Sequence, residues 1–124
     1  PPISTIFFFY CSFYQVFRSL FVSIVSYMSS IFRGFCSFNQ DIGSWDVSNV
    51  TSMELMFADT PFDKDIISWD MSKVTDMNNM FYKTTAFNQD LSSWDVSNVT
   101  NCGGFSLKTP NWTLPKPNFT NCVD

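Results

Sequence analysis

Apolar and polar positions repeat along the chain with a period of about 25 residues. The segment 38–51 returns as 62–75 and again as 87–100, and its tryptophan recurs as Trp45, Trp69 and Trp94. In each segment a phenylalanine opens the pattern and an aspartate follows the tryptophan. A fixed period of this length is typical of a solenoid, in which each repeat forms one coil that stacks on the next.

Each repeat divides into two predicted elements. The first has apolar residues at positions i, i+3, i+6 and i+7, namely Val50, Met53, Met56 and Phe57. This spacing predicts one face of a short helix, with Ser48 or Asn49 as its N-cap. The second, Trp45-Asp46-Val47, alternates apolar and polar residues and predicts a very short strand. We therefore expect an α/β solenoid of about four to five coils, each a very short parallel strand plus a short helix.

The N-terminal third fits the same repeat in a degraded form. When it is shifted by one repeat, its residues align with identical ones of the next repeat, as for Phe13, Val22, Met28 and Phe32. Core positions are kept while polar positions become apolar, so we assign residues 1–37 to degenerate first repeats. A large exposed apolar patch usually marks an interface, which we expect to include Phe8, Phe9, Tyr10, Tyr14 and Phe21. The alternatives are a decayed repeat without a partner and a hydrophobic membrane anchor across residues 3–32.

The regular repeats cover residues 38–101, and the pattern ends there. Gly103 and Gly104 break the predicted helix, and the following residues are rich in proline. Because the last core face of a solenoid needs a cover, we expect residues 102–124 to form a cap. In this cap Trp112 and Phe119 fold back and Cys102 is bonded to Cys122. The alternative is an extended arm in which the same residues reach a neighbouring molecule.

The chain contains four cysteines, an even number that suits two disulfides. Cys11 and Cys36 occupy equivalent positions in successive repeats. Coils stacked at about 4.8 Å bring such positions within bonding range. We therefore pair Cys11 with Cys36, with two free buried thiols as the alternative.

The repeat Phe-Asn-Gln-Asp-x-x-x-Trp-Asp-Val-Ser-Asn-Val-Thr-x-Met-x-x-Met-Phe resembles that of BspA-like leucine-rich-repeat surface proteins. Residues 38–105 match this pattern closely, and residues 3–37 match it in degraded form. The resemblance implies a leucine-rich-repeat-type solenoid on a cell surface or outside cells, often in adhesion. It implies no catalytic residues.

Composition narrows the classes of function. The net charge is -4 and the pI about 4.4, which argues against nucleic acid as a partner and against docking on anionic lipid. The chain has no histidine, so neither a Ser-His-Asp nor a Cys-His catalytic arrangement can form. We expect no enzymatic activity and no cofactor. The chain begins with Pro1 rather than Met, which we interpret as a processed product or a piece of a longer protein.

Four Asn-x-Ser/Thr triplets are candidate glycosylation sites. Together with paired cysteines they favour a secreted protein. In a eukaryotic secretory compartment we expect glycans first on Asn111 and Asn118, in the proline-rich tail, and then on Asn49 and Asn98.

Two sets of aspartates recur at the repeat period and are the best candidates for a site. They are Asp41, Asp65 and Asp90, and Asp46, Asp70 and Asp95. Stacked carboxylates repel one another unless hydrogen bonds or a cation compensate, and Ca²⁺ prefers such oxygen ligands. We expect each aspartate to accept hydrogen bonds from turn backbone in its own coil instead, and hence no metal. Calcium is the alternative.

These observations predict a non-enzymatic extracellular or cell-surface protein with a structural or adhesive role. An apolar first coil and a protruding tail suit head-to-tail self-association into a homopolymer, such as a fibre or surface layer. One alternative is a monomeric module that binds other surface proteins or glycans. Another is a membrane-anchored ectodomain, although membrane contact and nucleic acid are not expected.

Overall fold

A computed structural model of the chain describes residues 25–124. They form four stacked coils, which we call the first (25–49), second (50–73), third (74–98) and fourth (99–124) coil. No helix and no strand longer than one residue occurs in this part of the chain. Regular pairing is limited to parallel bridges between Tyr27 and Ser52, Ser52 and Asp76, and Asp76 and Asn101. The predicted α/β solenoid of strand-plus-helix coils, of leucine-rich-repeat type, is therefore wrong.

The apolar residues three positions apart close β-turns rather than a helix. The N–H of Met56 donates to the carbonyl of Met53 at 3.2 Å, and that of Trp45 donates to Ile42 at 3.1 Å. These bonds connect residue i with residue i−3, whereas an α-helix connects i with i−4. Both corner residues of such a turn are buried, as Met53 and Met56 show. Apolar residues three positions apart fit both a helix and a β-turn, which is why the sequence pattern suggested a helix.

A left-handed backbone conformation recurs at two places in every described coil. One set has φ between 55 and 68°: Ser30, Leu55, Asn79 and Gly104. The other has φ between 57 and 70°: Gly34, Asp59, Lys83 and Lys108. A positive φ at the third residue defines a type II turn, and Leu55 holds this place in the turn from Met53 to Met56. Because a right-handed helix requires negative φ, these positions end any helical path.

Backbone hydrogen bonds connect each coil with the next. Alternate N–H groups of the second coil donate to carbonyls of the third, from Met53 to Asp76, Leu55 to Asn78, and Phe57 to Met80, at 2.9 to 3.0 Å. The same register joins the first coil to the second and the third to the fourth. Since these groups are satisfied between coils, each described coil depends on its neighbours for part of its backbone hydrogen bonding.

The core is a continuous stack of buried side chains from the first coil to the fourth. The rings of Phe32, Phe57 and Phe81 follow one another, with Phe57 centred 6.0 Å from Phe32 and 5.3 Å from Phe81. A second ladder of Phe38, Phe62 and Phe87 lies beside the first. Equivalent valines and tryptophans of the repeat are also buried, at Val25, Val50, Val74 and Val99 and at Trp45, Trp69 and Trp94. The apolar positions that recur with the repeat therefore form the core of the described coils.

Candidate functional site

The repeated aspartates accept hydrogen bonds inside their own coils. Asp46 Oδ1 accepts the backbone N–H of Ser48 at 3.0 Å, and the serine hydroxyl donates to the same oxygen. Asp70, Asp90 and Asp95 repeat this arrangement with the serine two positions on. Asp41 and Asp65 accept a backbone N–H two residues on, from Gly43 and Ile67. Each of these carboxylates therefore closes a turn, as such side chains commonly do.

Serine hydrogen bonds lower the pKa of four of these carboxyl groups. The serine hydroxyl is the largest cause and the serine N–H the second, and the affected groups are Asp46, Asp70, Asp90 and Asp95. Hydrogen bonds to an ionised carboxylate favour its charged form. The negative charge of Asp70 acts in the opposite direction on Asp46 and Asp95, on the neighbouring coils. The four groups therefore stay ionised at neutral pH despite the stacked like charges.

Among residues 25–124, no three acidic or cysteine side chains are grouped so that they could hold a metal ion. The six candidate aspartates act in the turns described above. Each of these carboxylates accepts a backbone N–H two residues further along the chain.

The cysteines of the described region are oxidised. Cys102 and Cys122 form a disulfide with a Cα–Cα distance of 5.8 Å. Cys36 is also disulfide-bonded. Cys11, the partner expected for Cys36, lies outside the described residues, so the structure does not test that pairing.

The four candidate glycosylation asparagines are exposed but differ in their contacts. Asn98 donates to the carbonyl of Ser72 at 2.6 Å, and Asn111 donates to that of Thr85 at 2.7 Å. Asn49 accepts from Lys73 at 3.1 Å. Asn118 has no hydrogen bond within the part of the chain that the structure describes.

The aromatic residues expected at an interface fall into two groups. Phe8, Phe9, Tyr10, Tyr14 and Phe21 lie outside the described residues. Trp112 is buried and donates from its indole nitrogen to the carbonyl of Gln89 at 3.0 Å. Phe119 is partly buried and packs edge-on against Phe105, with ring centroids 5.0 Å apart. Both rings of the tail therefore cover the core.

The fourth coil presents backbone N–H groups along one edge. In the third coil the equivalent groups donate to the fourth, for example from Phe81 to Phe105 and from Lys83 to Leu107. In the fourth coil the N–H of Ser106 donates to Asp124 Oδ1 at 3.1 Å, and the Ser106 hydroxyl donates to Asp124 Oδ2. The N–H groups of Gly104 and Lys108 have no acceptor among residues 25–124. This edge is therefore an open row of donors with one position filled by a carboxylate.

A groove of about 880 Å³ borders this edge, and three lysines line it. Lys83 and Lys108 occupy equivalent positions in successive coils, and Lys116 lies in the tail. Asp59 is the one acidic residue in the lining, which also includes Ser106. None of the three ammonium groups forms an ion pair within the described part of the chain. The groove thus carries a local positive charge on an acidic protein.

The lysine groove was not predicted from the sequence. Lys83 and Lys108 are separated by one repeat, so the repeat alignment already places them at equivalent positions. The partner Lys116 lies in the proline-rich tail, whose path back over the stack has no repeat pattern to indicate it. Only the folded tail brings the three side chains together.

The fold and this site define a class of repeat protein whose coils are built from β-turns and joined by parallel backbone hydrogen bonds. The sequence profile of a family described as "Mycoplasma protein of unknown function, DUF285" matches residues 3–112. The chain belongs to this family. No curated protein and no solved structure matches the chain.

Proposed function

We propose that this protein is a BspA-like, non-enzymatic extracellular or cell-surface protein with a structural or adhesive role. The observation that carries the proposal is the disulfide between Cys102 and Cys122, which ties the tail to the core of the fourth coil. Disulfides of this kind persist in oxidising compartments and are rare in the cytosol. Every cysteine in the described region is bonded, which supports the same compartment.

The repeated surface of the stack supports adhesion as the activity. Equivalent turns place equivalent side chains one coil apart, as for the aspartates that accept from serine. Because backbone bonds and stacked rings fix each coil against its neighbours, the spacing of these groups is rigid. Repeat proteins use such extended surfaces for binding. A partner with repeating groups could contact several coils at once.

The adhesive role is tested by competition. Cells that produce the protein are allowed to attach to a surface in the presence of excess purified, oxidised protein. We expect attachment to decrease, because soluble protein occupies the same receptors. Protein that has been reduced and alkylated is the control and should compete poorly. Undiminished attachment at saturating protein would contradict the proposal.

Head-to-tail assembly is a second candidate, and the open donor edge of the fourth coil favours it. Unpaired backbone donors along a ladder are a template for pairing with another chain. Contacts of this kind do not close on themselves and give filaments. Sedimentation and negative-stain microscopy of the purified protein test this candidate. Filaments would support it, and a monomer across a wide concentration range would exclude it.

A further inference from the structure

Three of the positive charges of the molecule lie on one groove. The chain has seven lysine and arginine residues, and three of them, Lys83, Lys108 and Lys116, line it. Lys83 and Lys108 approach the same ring, with Nζ atoms 5.3 and 6.0 Å from the centroid of Tyr82. Lys116 lies 5.4 Å from the ring centroid of Trp112. Each of the three ammonium groups therefore lies within the range of a cation–π interaction.

This arrangement has an unbalanced charge. The three ammonium groups have no ion pair within residues 25–124, and the carboxylates beside them are Asp59 in the lining and Asp124 at Ser106. Gathering like charges costs free energy unless an anion compensates for them. The groove is thus complementary to an anionic ligand.

Ser106 shows that a carboxylate fits at the edge of the groove. Its backbone N–H and its hydroxyl both donate to the side chain of Asp124. In the second and third coils the equivalent N–H groups, of Phe57 and Phe81, donate to the backbone of the next coil. Asp124 thus occupies a position that a backbone carbonyl fills elsewhere in the stack.

The same edge offers hydrogen bonds to a peptide backbone. The N–H groups of Gly104 and Lys108 lie at alternate positions on either side of Ser106 and have no acceptor in the described region. An extended peptide supplies carbonyl acceptors at such a spacing, as in strand addition to an open edge. A polysaccharide has no matching row of carbonyls.

We propose that this groove binds an extended acidic polypeptide segment. Its carboxylates pair with Lys83, Lys108 and Lys116, one of them replaces Asp124 at Ser106, and its backbone accepts from Gly104 and Lys108. The first coils of a second copy are a poorer fit, because residues 1–37 contain no aspartate or glutamate. The inference extends the proposed adhesive role by naming a class of ligand. It rests on that role only because both assume that the protein acts by binding.

The test is the binding of a fluorescent ten-residue peptide of alternating aspartate and glycine to the oxidised full chain, measured by anisotropy. K83Q/K108Q is compared with K64Q/K73Q, which removes two exposed lysines outside the groove lining. The two variants have the same net charge as each other. We expect the groove variant to bind about tenfold more weakly or worse, and the control to bind within about twofold of the wild type. Binding should also weaken as salt is raised.

A second variant tests the carboxylate position. Asp124→Asn removes the competing charge from Ser106 and should increase the affinity for the peptide several-fold, because the ligand no longer displaces an anion. Ser106→Ala removes one donor and should decrease the affinity. Thermal melts of both variants show whether the fold is retained.

Three outcomes would overturn the inference: no peptide binding by the wild type, equal losses in both double-lysine variants, or groove-dependent binding of heparin without binding of the peptide. The last would assign the groove to a sulfated polysaccharide. The attachment assay tests the adhesive role separately. If K83Q/K108Q competes with attachment as well as the wild type does, the protein is adhesive but the groove is not its binding site.

Discussion

At the scale of single residues, the left-handed positions are the most demanding feature of the coil. Gly104 has a φ of 68°, and a Cβ atom added there would collide with Asn79 Oδ1. We predict that Gly104→Ala lowers the free energy of unfolding by about 1–3 kcal/mol, from backbone strain and displacement of the asparagine. Chemical denaturation measures the change.

The neighbouring glycine is the matched control. A Cβ added at Gly103 would meet nothing closer than Asn78 Oδ1 at 3.6 Å. Gly103→Ala should be neutral or slightly stabilising, because it restricts the unfolded chain. Equal effects of the two substitutions would contradict the assigned turn geometry.

The serine–aspartate pairs make the fold sensitive to acid. The hydroxyl and N–H of Ser97 hold the pKa of Asp95 below its ordinary value of 3.8. A carboxyl whose pKa is lower in the folded state stabilises the fold above the unfolded pKa, and this contribution is lost as pH falls through the folded pKa. We predict that Ser97→Ala raises the pKa of Asp95, as measured by carboxyl carbon NMR titration. Ser93→Ala, at an exposed serine without this bond, should leave it unchanged, and an equal shift in both would exclude the hydroxyl as the cause.

Much of the residue-level structure could be predicted, but not all of it. We expected the recurring aspartates to accept hydrogen bonds from turn backbone in their own coils, and the structure shows such bonds, as between Asp46 and Ser48. Among the left-handed residues, Leu55 and Lys83 gave no such signal, because they are not residue types that favour positive φ. Both residues donate to the next coil, Leu55 to Asn78 and Lys83 to Leu107, and the local sequence does not reveal these bonds.

At the scale of the coil, stacked phenylalanines supply the packing. Phe57 is fully buried, 4.1 Å from Phe62 in its own coil and within 6.0 Å of Phe32 and Phe81 on either side. We predict that Phe57→Ala lowers the free energy of unfolding by about 3–5 kcal/mol, because it opens a cavity that both neighbouring coils line. Urea denaturation measures the loss.

An exposed apolar residue of the same coil provides the comparison. Ile67 is 40% exposed, so Ile67→Ala should cost less than about 1 kcal/mol. Similar losses for the two variants would argue against the ring stack as the main source of stability.

The period and core positions of the coil were predictable, whereas its secondary structure was not. Stacking buries the apolar positions of the repeat whether they lie in a helix or in turns, and Val50, Met53 and Phe57 are all buried. The choice between helix and turn depends on whether an N–H bonds within the coil or to the next one. That choice is made by contacts with the following repeat, as between Leu55 and Asn78.

At the scale of the whole molecule, the fourth coil is held by a covalent tie as well as by packing. The Cys102–Cys122 disulfide spans 20 residues, a loop whose closure is worth about 3 kcal/mol. We predict that C102A/C122A lowers the free energy of unfolding by about this amount and exposes Trp112, whose fluorescence reports the change. A loss below about 1 kcal/mol would show that the tail docks without the disulfide.

The lysine groove depends on how the tail packs against the rest of the molecule, which explains why the sequence did not indicate it. Lys116 reaches the groove because Pro115 accepts from Leu91 and Trp112 is buried beside Phe87. These contacts between the tail and the third coil have no counterpart in the repeat pattern.

We propose that this disulfide-closed stack of turn-built coils works outside the cell. Labelling of intact producing cells with a membrane-impermeant biotin reagent, followed by alkylation of free thiols before digestion, tests this proposal. We predict that the protein is biotinylated on intact cells and that the peptides containing Cys102 and Cys122 are recovered linked and unalkylated. Protein that stays unlabelled until the cells are lysed, with both cysteines alkylated as free thiols, would contradict the account.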